Sequence, residues 1–161
     1  MKKPASSNNS ISSDSLIDHL QASIFLVDVE LDGTFRYSKI NKIHEEATGY
    51  SNEFLLGKSP IEALGEEQGG IIEGNYQRCL EKGEPIAYEE VLDFPAGKKS
   101  WLTKLSPIWE DERIIQIAGV STDISKIKKH EEALKELYQK TSTALSTGKL
   151  AWWEMELPSG K

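Results

Sequence analysis

The stretch Gly119-Val-Ser-Thr-Asp-Ile-Ser-Lys-Ile-Lys-Lys-His-Glu-Glu-Ala-Leu134 joins two different sequence patterns. Upstream of it, residues 113–120 are dense in Ile, Val and Ala, which predicts a buried strand. The period changes at Thr122-Asp123, and Asp123 suits the N-cap of the charged helix that follows. Asp123 is then either only a helix cap, or part of a junction that transmits a conformational change from a domain to the long helix that follows it.

Composition limits the class of protein. The chain has 161 residues and a formal net charge of −7, which fits one domain with extensions. The acidic balance and the lack of a dense Lys/Arg cluster predict no nucleic-acid partner. Cys79 is the only cysteine, which predicts a reducing, cytoplasmic compartment, and Met1-Lys-Lys does not begin a signal peptide. No apolar run reaches the roughly 20 residues of a membrane span, so no direct membrane insertion is expected.

The start of the chain predicts a leader followed by a hairpin. Residues 1–14 are rich in Ser, Asn and Lys and carry almost no apolar side chain, which predicts a flexible leader. Residues 15–21 place apolar side chains at helical spacing, which indicates a short entry helix. Strands are expected at 24–30 and 34–40, joined by the turn signal Asp32-Gly33.

Helices and strands then follow as two separate groups. Short helices are expected at 43–49 and 51–57, and a longer helix at 71–82. The acidic, glycine-rich segment 65–70 between them predicts a mobile loop.

The second half of the domain predicts three strands, at 86–94, 99–109 and 114–122. Pro107 is expected near an edge or a bulge, because proline cannot donate to the strand ladder. Two strands, a cluster of helices and three strands predict an α+β fold with an antiparallel sheet and helices on one face.

Several segments together resemble the PAS domain family. They are Asn41 with Glu45-Glu-Ala-Thr-Gly-Tyr-Ser51, Phe54-Leu-Leu-Gly-Lys-Ser59, Tyr76-Gln-Arg-Cys-Leu-Glu-Lys-Gly83, Tyr88-Glu-Glu90, Leu105-Ser-Pro-Ile108 and the closing Gly119 to Ser125. The resemblance implies a five-stranded antiparallel sheet in the order 2-1-5-4-3, with short helices on one face and a C-terminal linker helix. It also implies a sensory or dimerisation module of a larger signalling protein, such as a sensor histidine kinase in a two-component system or a cyclic-dinucleotide enzyme, without catalysis in this segment.

The resemblance divides the chain into a PAS domain at 15–123, a signalling helix at 124–147 and a C-terminal segment at 148–161. In that last segment, Trp152-Trp153-Glu-Met-Glu resembles the first strand of a second, truncated PAS domain. The alternative is an unrelated amphipathic tail.

No catalytic or metal-binding constellation is visible in the sequence. The three histidines are scattered, and no Asp/Glu/His spacing matches a metal site. His130-Glu131 lacks the residues that follow a kinase phosphoacceptor histidine, which favours a solvated linker histidine. By the same resemblance, neither flavin nor haem is expected as a cofactor, because the chain lacks the Asn-Cys pair of flavin-binding members and the helix histidine of haem-binding members. Cys79 lies on the apolar side of its helix, which favours a small buried residue.

A small-molecule pocket is expected between the sheet and the helices, for an organic ligand whose identity is unknown. The expected wall is Phe25, Val27, Tyr37, Phe54, Tyr76, Leu80, Trp101, Thr103 and Ile117. The alternative is that these side chains fill the core completely.

The helix after the sheet carries apolar residues at intervals of three and four. This short heptad run with polar interruptions predicts a marginal coiled coil. The expected partners are a second copy of the chain, through this helix or the sheet face, and an effector domain of the same chain. The alternative is a helix that folds back onto its own sheet. The expected relay residues are Asn41, Thr122, Asp123, Ile124, Ile127 and Leu134.

The sequence therefore predicts a cytoplasmic sensory module that binds a small molecule or dimerises, and that relays its state to an effector. A ligand-free dimerisation and spacer module in a tandem-PAS protein is the alternative.

Overall fold

The structure is a computed structural model that describes residues 22–155, with Ile17 and Leu20 before them, and side chains through residue 146. The expected leader at 1–14 lies outside the described residues, as does most of the expected entry helix. The elements are β1 (Ser23–Val29), β2 (Phe35–Ile40), α1 (Lys42–Thr48), α2 (Asn52–Leu55), α3 (Pro60–Lys82), β3 (Ile86–Phe94), β4 (Gly97–Glu110), β5 (Arg113–Asp123) and α4 (Ser125–Met155).

The five strands form one antiparallel sheet in the order β2-β1-β5-β4-β3, which confirms the predicted fold class and strand order. The helices α1 and α2 contact β1 and β2, and α3 contacts β2 and β4. In strand β3, buried or half-buried residues alternate with exposed ones, as expected for a strand with one face against the core and the other in solvent.

Pro107 lies in the part of β4 that extends beyond β3. The first residue of β3, Ile86, pairs with Leu105, so the side of β4 that faces β3 has no partner strand at Pro107. The register with β5 also shifts between Ile108 and Trp109. The prediction that Pro107 lies near an edge or a bulge is confirmed.

The segment at 65–70 is not the mobile loop that its composition predicts. Gly65 interrupts α3 with a φ of 80°, and the helix then continues to Lys82. Gly69 is buried where the two parts of α3 meet. No larger residue fits there, because a Cβ at this position would lie 2.5 Å from Ile61 Cα. The glycines of this segment therefore provide a kink and a close approach between backbones rather than mobility.

The chain forms two compact units that divide between Asp123 and Ile124. From Ser125 to Met155 the second unit forms the long helix α4, whose described side chains are largely exposed. Within the described residues, no helix combines the length and apolar character that crossing a membrane requires.

Candidate functional site

A cavity lies under the inner face of the sheet and encloses about 30 Å³. This space suits a molecule of a few heavy atoms and is far below the roughly 300–1,000 Å³ of pockets for drug-sized ligands. Its lining residues are Phe25, Tyr37, His44, Thr48, Tyr50, Leu55, Leu64, Ile72, Tyr76, Tyr88, Glu90, Leu92, Phe94, Trp101 and Ser121. The core is therefore neither completely filled nor open to a large organic molecule.

Four of the nine residues expected in the wall line the cavity: Phe25, Tyr37, Tyr76 and Trp101. The other five lie elsewhere. Val27, Thr103 and Ile117 are buried in the surrounding core, and Leu80 is partly buried against it.

Phe54 is 40% exposed and stacks on Tyr50 from outside, with ring centroids 5.2 Å apart. Its placement in the wall was wrong because α2 is a single turn that buries only Leu55.

The alternation of β3 identifies a wall that sequence analysis missed. Tyr88, Glu90, Leu92 and Phe94 all line the cavity, two residues apart along the strand. Because successive side chains of a strand point to opposite faces, these four share the inner face. The alternation is visible in the sequence, but glutamate is almost never fully buried, so residue type alone does not place Glu90 on the inner face.

Two buried polar atoms in the cavity wall have no hydrogen-bond partner. They are Glu90 Oε2 and Trp101 Nε1, and their residues are Cα partners on β3 and β4. Trp101 is only 2% exposed. A buried polar group without a partner costs about 1–3 kcal/mol, so each gains from a molecule that supplies the missing bond.

The other oxygen of Glu90 belongs to a chain of hydroxyl groups across the sheet. Thr103 Oγ1 donates to Glu90 Oε1 at 2.9 Å, and Thr103 and Ser121 share a hydrogen bond of 2.9 Å. Because the single proton of Thr103 goes to Glu90, Ser121 is the donor in the second bond. Burial raises the pKa of Glu90, and the bond from Thr103 opposes that rise. The chain connects β3 with β5.

Three of the tyrosines that line the cavity, Tyr37, Tyr76 and Tyr88, are neutral phenols. Tyr76 donates to the hydroxyl of Tyr37 at 3.4 Å. Burial raises the pKa of Tyr37 to about 12 and raises the pKa values of Tyr76 and Tyr88 as well. None of the three ionises near neutral pH.

His44 is buried at the base of α1, where its Nδ1 lies 2.8 Å from Ser23 Oγ. Burial lowers the pKa of His44 to about 4, so the imidazole is neutral at physiological pH. The ring packs against Phe25, with centroids 5.3 Å apart.

Asn41 joins β1 to α1. Its Oδ1 accepts from the backbone N–H groups of Ile24 and His44, both at 3.0 Å, and its Nδ2 donates to the carbonyls of Ala22 and Ile17. Asn41 is fully buried and is the N-cap of α1. The expected relay position thus fixes the hairpin strand to the first helix.

Three further relay residues, Thr122, Asp123 and Ile124, lie where β5 ends and α4 begins. Thr122 is exposed and pairs with Leu102, whereas Ile124 is buried. Asp123 is the last residue of β5 and lies one residue before the N-cap position expected for it, since α4 begins at Ser125. The Asp123 carboxylate lies 3.7 Å from Lys99 Nζ.

Helix α4 presents Ile127 and Leu134 to solvent, at 55% and 66% exposure. It continues to Met155, so Trp152 and Trp153 lie in a helix and not in the strand expected there. The assignment of 148–161 to a second domain stays a prediction, and residues 156–161 lie outside the described residues.

Comparison with known proteins identifies the family. The family model described as "PAS fold" matches residues 17–129, and the chain belongs to this family. No curated protein matches the sequence.

Three solved structures with a similar fold are distant from this chain in sequence. An RNA-binding light-oxygen-voltage receptor is 16% identical, with a TM-score of 0.65; the match covers 89% of this chain and 42% of the receptor. The PAS domain of Bordetella pertussis BvgS is 18% identical with a TM-score of 0.56, covering 78% and 93% of the two chains. The light-oxygen-voltage domain of the Erythrobacter litoralis EL346 blue-light activated histidine kinase is 20% identical with a TM-score of 0.53, covering 66% and 98%.

Proposed function

We propose that this chain is a sensory PAS module that binds a small organic molecule in the cavity and relays its presence through β5 and α4 to an effector domain. The observation that carries the proposal is the pair of unpartnered atoms, Glu90 Oε2 and Trp101 Nε1, in side chains that line the cavity. A fold that leaves both a buried acceptor and a buried donor without partners gains stability when a ligand supplies them.

The relay begins at the hydroxyl chain. A ligand bound to Glu90 changes the bond that Thr103 donates, and Thr103 is bonded in turn to Ser121 on β5. Ser121 lies four positions before Ser125, the first residue of α4. The module needs no chemistry of its own for this role, and we propose that it acts without catalysis, in the cytoplasm, on a downstream enzyme such as a histidine kinase.

A flavin does not fit the site as it stands. The flavin-binding members of the family that the chain resembles need an Asn-Cys pair, whereas the sole cysteine here, Cys79, does not line the cavity. Its Sγ instead approaches the carbonyl of Glu84 at 3.9 Å. A space of about 30 Å³ is also too small for a three-ring cofactor. We therefore propose a much smaller ligand, although several neighbours of similar fold are light-oxygen-voltage proteins.

A second candidate is a ligand-free dimerisation and spacer module. The observation that favours it is the exposed apolar seam of α4, which we define as Ile127, Leu134, Tyr138 and Leu145. Their spacing of seven, four and seven residues fits the a and d positions of a heptad. A second copy of the chain would cover this seam.

Native mass spectrometry of the purified chain separates the two functions, because it reports oligomeric state and bound molecules together. A stoichiometric small molecule, displaced when the protein is unfolded, supports sensing. An empty dimer supports the spacer module. An empty monomer that binds nothing from a metabolite mixture contradicts both.

A further inference from the structure

The wall of the cavity is unusually rich in aromatic rings. Seven of its 15 lining side chains are Phe, Tyr or Trp. Phe94 contacts both Tyr50 and Trp101 edge to face, with centroids 6.1 and 5.9 Å apart. Two further lining rings, Phe25 and Tyr76, lie 6.1 Å apart. Aromatic faces attract organic cations, most strongly where water is excluded.

The one carboxylate in this aromatic wall has no cationic partner. Lysine and arginine are absent from the lining residues, and the lowered pKa of His44 keeps its imidazole neutral. Lys99 lies over the ring of Trp101 at 5.6 Å, but its Nζ donates to the carbonyl of Ala47 at 2.9 Å and pairs with Asp123. Glu90 is partly buried with Oε2 shielded from solvent, and a carboxylate held out of water without a counter-ion is costly, so a cationic ligand would offset that cost.

The second unpartnered atom selects a further group on the ligand. Trp101 Nε1 can only donate, so it requires an acceptor such as a hydroxyl or ether oxygen. Glu90 and Trp101 are direct cross-strand partners, and such pairs have Cβ atoms about 4.5–5.5 Å apart. One small molecule can therefore reach both groups.

We infer that the cavity binds a small organic ammonium ion with a nearby oxygen, the chemistry of an amino alcohol. The ammonium group donates to Glu90 Oε2 among the aromatic faces, and the oxygen accepts from Trp101 Nε1. This inference rests on the proposed sensing function, because it names the ligand class of the same cavity.

Calorimetric titration of the full chain with three molecules of equal size tests the inference. Ethanolamine carries both groups, ethylene glycol lacks the charge, and propylamine lacks the oxygen. We expect ethanolamine to bind at least about tenfold more tightly than either, since a hydrogen bond to a charged group is stronger than a neutral one. Equal binding of ethylene glycol and ethanolamine would overturn the inference.

The variant Glu90→Gln keeps the size of the side chain and the oxygen that accepts from Thr103, but removes the charge. It is expected to bind ethanolamine no better than ethylene glycol. The matched control is Glu89→Gln, which changes the same charge on the exposed face of β3 and is expected to leave the affinity unchanged. Unchanged affinity in Glu90→Gln would contradict the assignment of Glu90.

If Glu90→Gln does not fold, the wild-type pH profile still decides. The groups that face Glu90 are Tyr88 on its own strand, Tyr37 on β2, Tyr76 on α3 and His44 on α1, and none of these titrates between about pH 5 and 8. Ethanolamine affinity should therefore fall with pH as Glu90 becomes protonated, and a flat profile from pH 8 to about 4.5 would overturn the inference. A neutral or anionic molecule found in the cavity would also overturn it but leave the sensing function intact. A cavity that binds no molecule of any charge removes both.

Discussion

The ring of Phe25 lies so close over Gly119 that a Cβ built on residue 119 would fall 2.0 Å from Phe25 Cζ. The two residues are Cα partners on β1 and β5. Phe25 also lines the cavity and meets Tyr37 edge to face at 6.4 Å. One wall of the cavity is therefore placed by the absence of a side chain on the neighbouring strand.

Replacing Gly119 by alanine is expected to displace the ring of Phe25 from the sheet. The methyl group and the ring cannot occupy the same space, and overpacking of this kind costs about 1–3 kcal/mol. Urea unfolding of Gly119→Ala should show this loss in the free energy of unfolding. The double variant Phe25→Leu/Gly119→Ala should lose less than the sum of the two single changes, because the smaller side chain leaves room for the methyl group.

Gly74 is the matched control for this experiment. It lies in α3 with open space around the position of a Cβ. Gly74→Ala is expected to stabilise the protein by about 0.5–1 kcal/mol, because alanine loses less conformational freedom in a helix. Similar destabilisation by both substitutions would contradict the role given to Gly119.

His44 makes stability depend on acid. Its pKa is about 4 in the folded protein and near 6.5 when exposed, so the unfolded chain binds more protons between these values. Above about pH 6.5 the free energy of unfolding contains the full contribution of neutral His44, and it falls by about 3 kcal/mol as the pH drops to 4. The measurement is the free energy of unfolding across this range for the wild type and for His44→Gln.

Glu90 changes the pH dependence of stability in the opposite direction, because its pKa is raised in the folded state. Glu90 is present in both the wild type and His44→Gln, so its contribution cancels from the difference between their free energies of unfolding. We expect the difference in stability between wild type and His44→Gln to grow as pH rises from 4 to 6.5. A difference that does not vary with pH would show that His44 is protonated in the fold.

Asn41 is expected to contribute more than an ordinary helix cap. Its side chain makes four hydrogen bonds to backbone groups on both sides of the hairpin. Asn41→Ala leaves buried backbone groups without partners and should cost about 2–4 kcal/mol in thermal or chemical unfolding. Ser51→Ala, which removes the exposed cap of α2, should cost only about 1 kcal/mol.

The seam of α4 predicts self-association. Leu134 is 66% exposed in its middle, and a charge there would be buried in a coiled coil. Leu134→Glu is expected to weaken a dimer at least about tenfold, measured by sedimentation equilibrium. Gln139→Glu adds the same charge next to the seam and should have little effect. A wild-type chain that is monomeric at high concentration would contradict the coiled coil.

The positions of the strands along the chain could be predicted because each strand has its own alternation and turn signals, whereas their order in the sheet was implied by the resemblance to the PAS family. The loop expected at 65–70 was wrong for a physical reason. Glycine indicates a break wherever it occurs, yet Gly69 is small because Ile61 packs against it, a contact between residues eight positions apart. Local composition cannot distinguish a flexible glycine from one that permits close packing.

The cavity was only partly predictable. The aromatic positions Phe25, Tyr37, Tyr76 and Trp101 follow from apolar periodicity, which places them on the inner face. Periodicity does not reveal that Glu90 Oε1 finds Thr103 while Glu90 Oε2 finds nothing. That difference depends on side-chain geometry across three strands, and it is the feature on which the ligand chemistry depends.

The buried indole of Trp101 makes the domain its own optical reporter. Indole fluorescence shifts with the polarity around the ring and with hydrogen bonding at its N–H, and here that N–H has no partner. Trp109, by contrast, is 50% exposed and emits from a wetter environment. Binding of a ligand in the cavity should therefore change the wavelength of maximum tryptophan emission, which can be measured in solution without any added label.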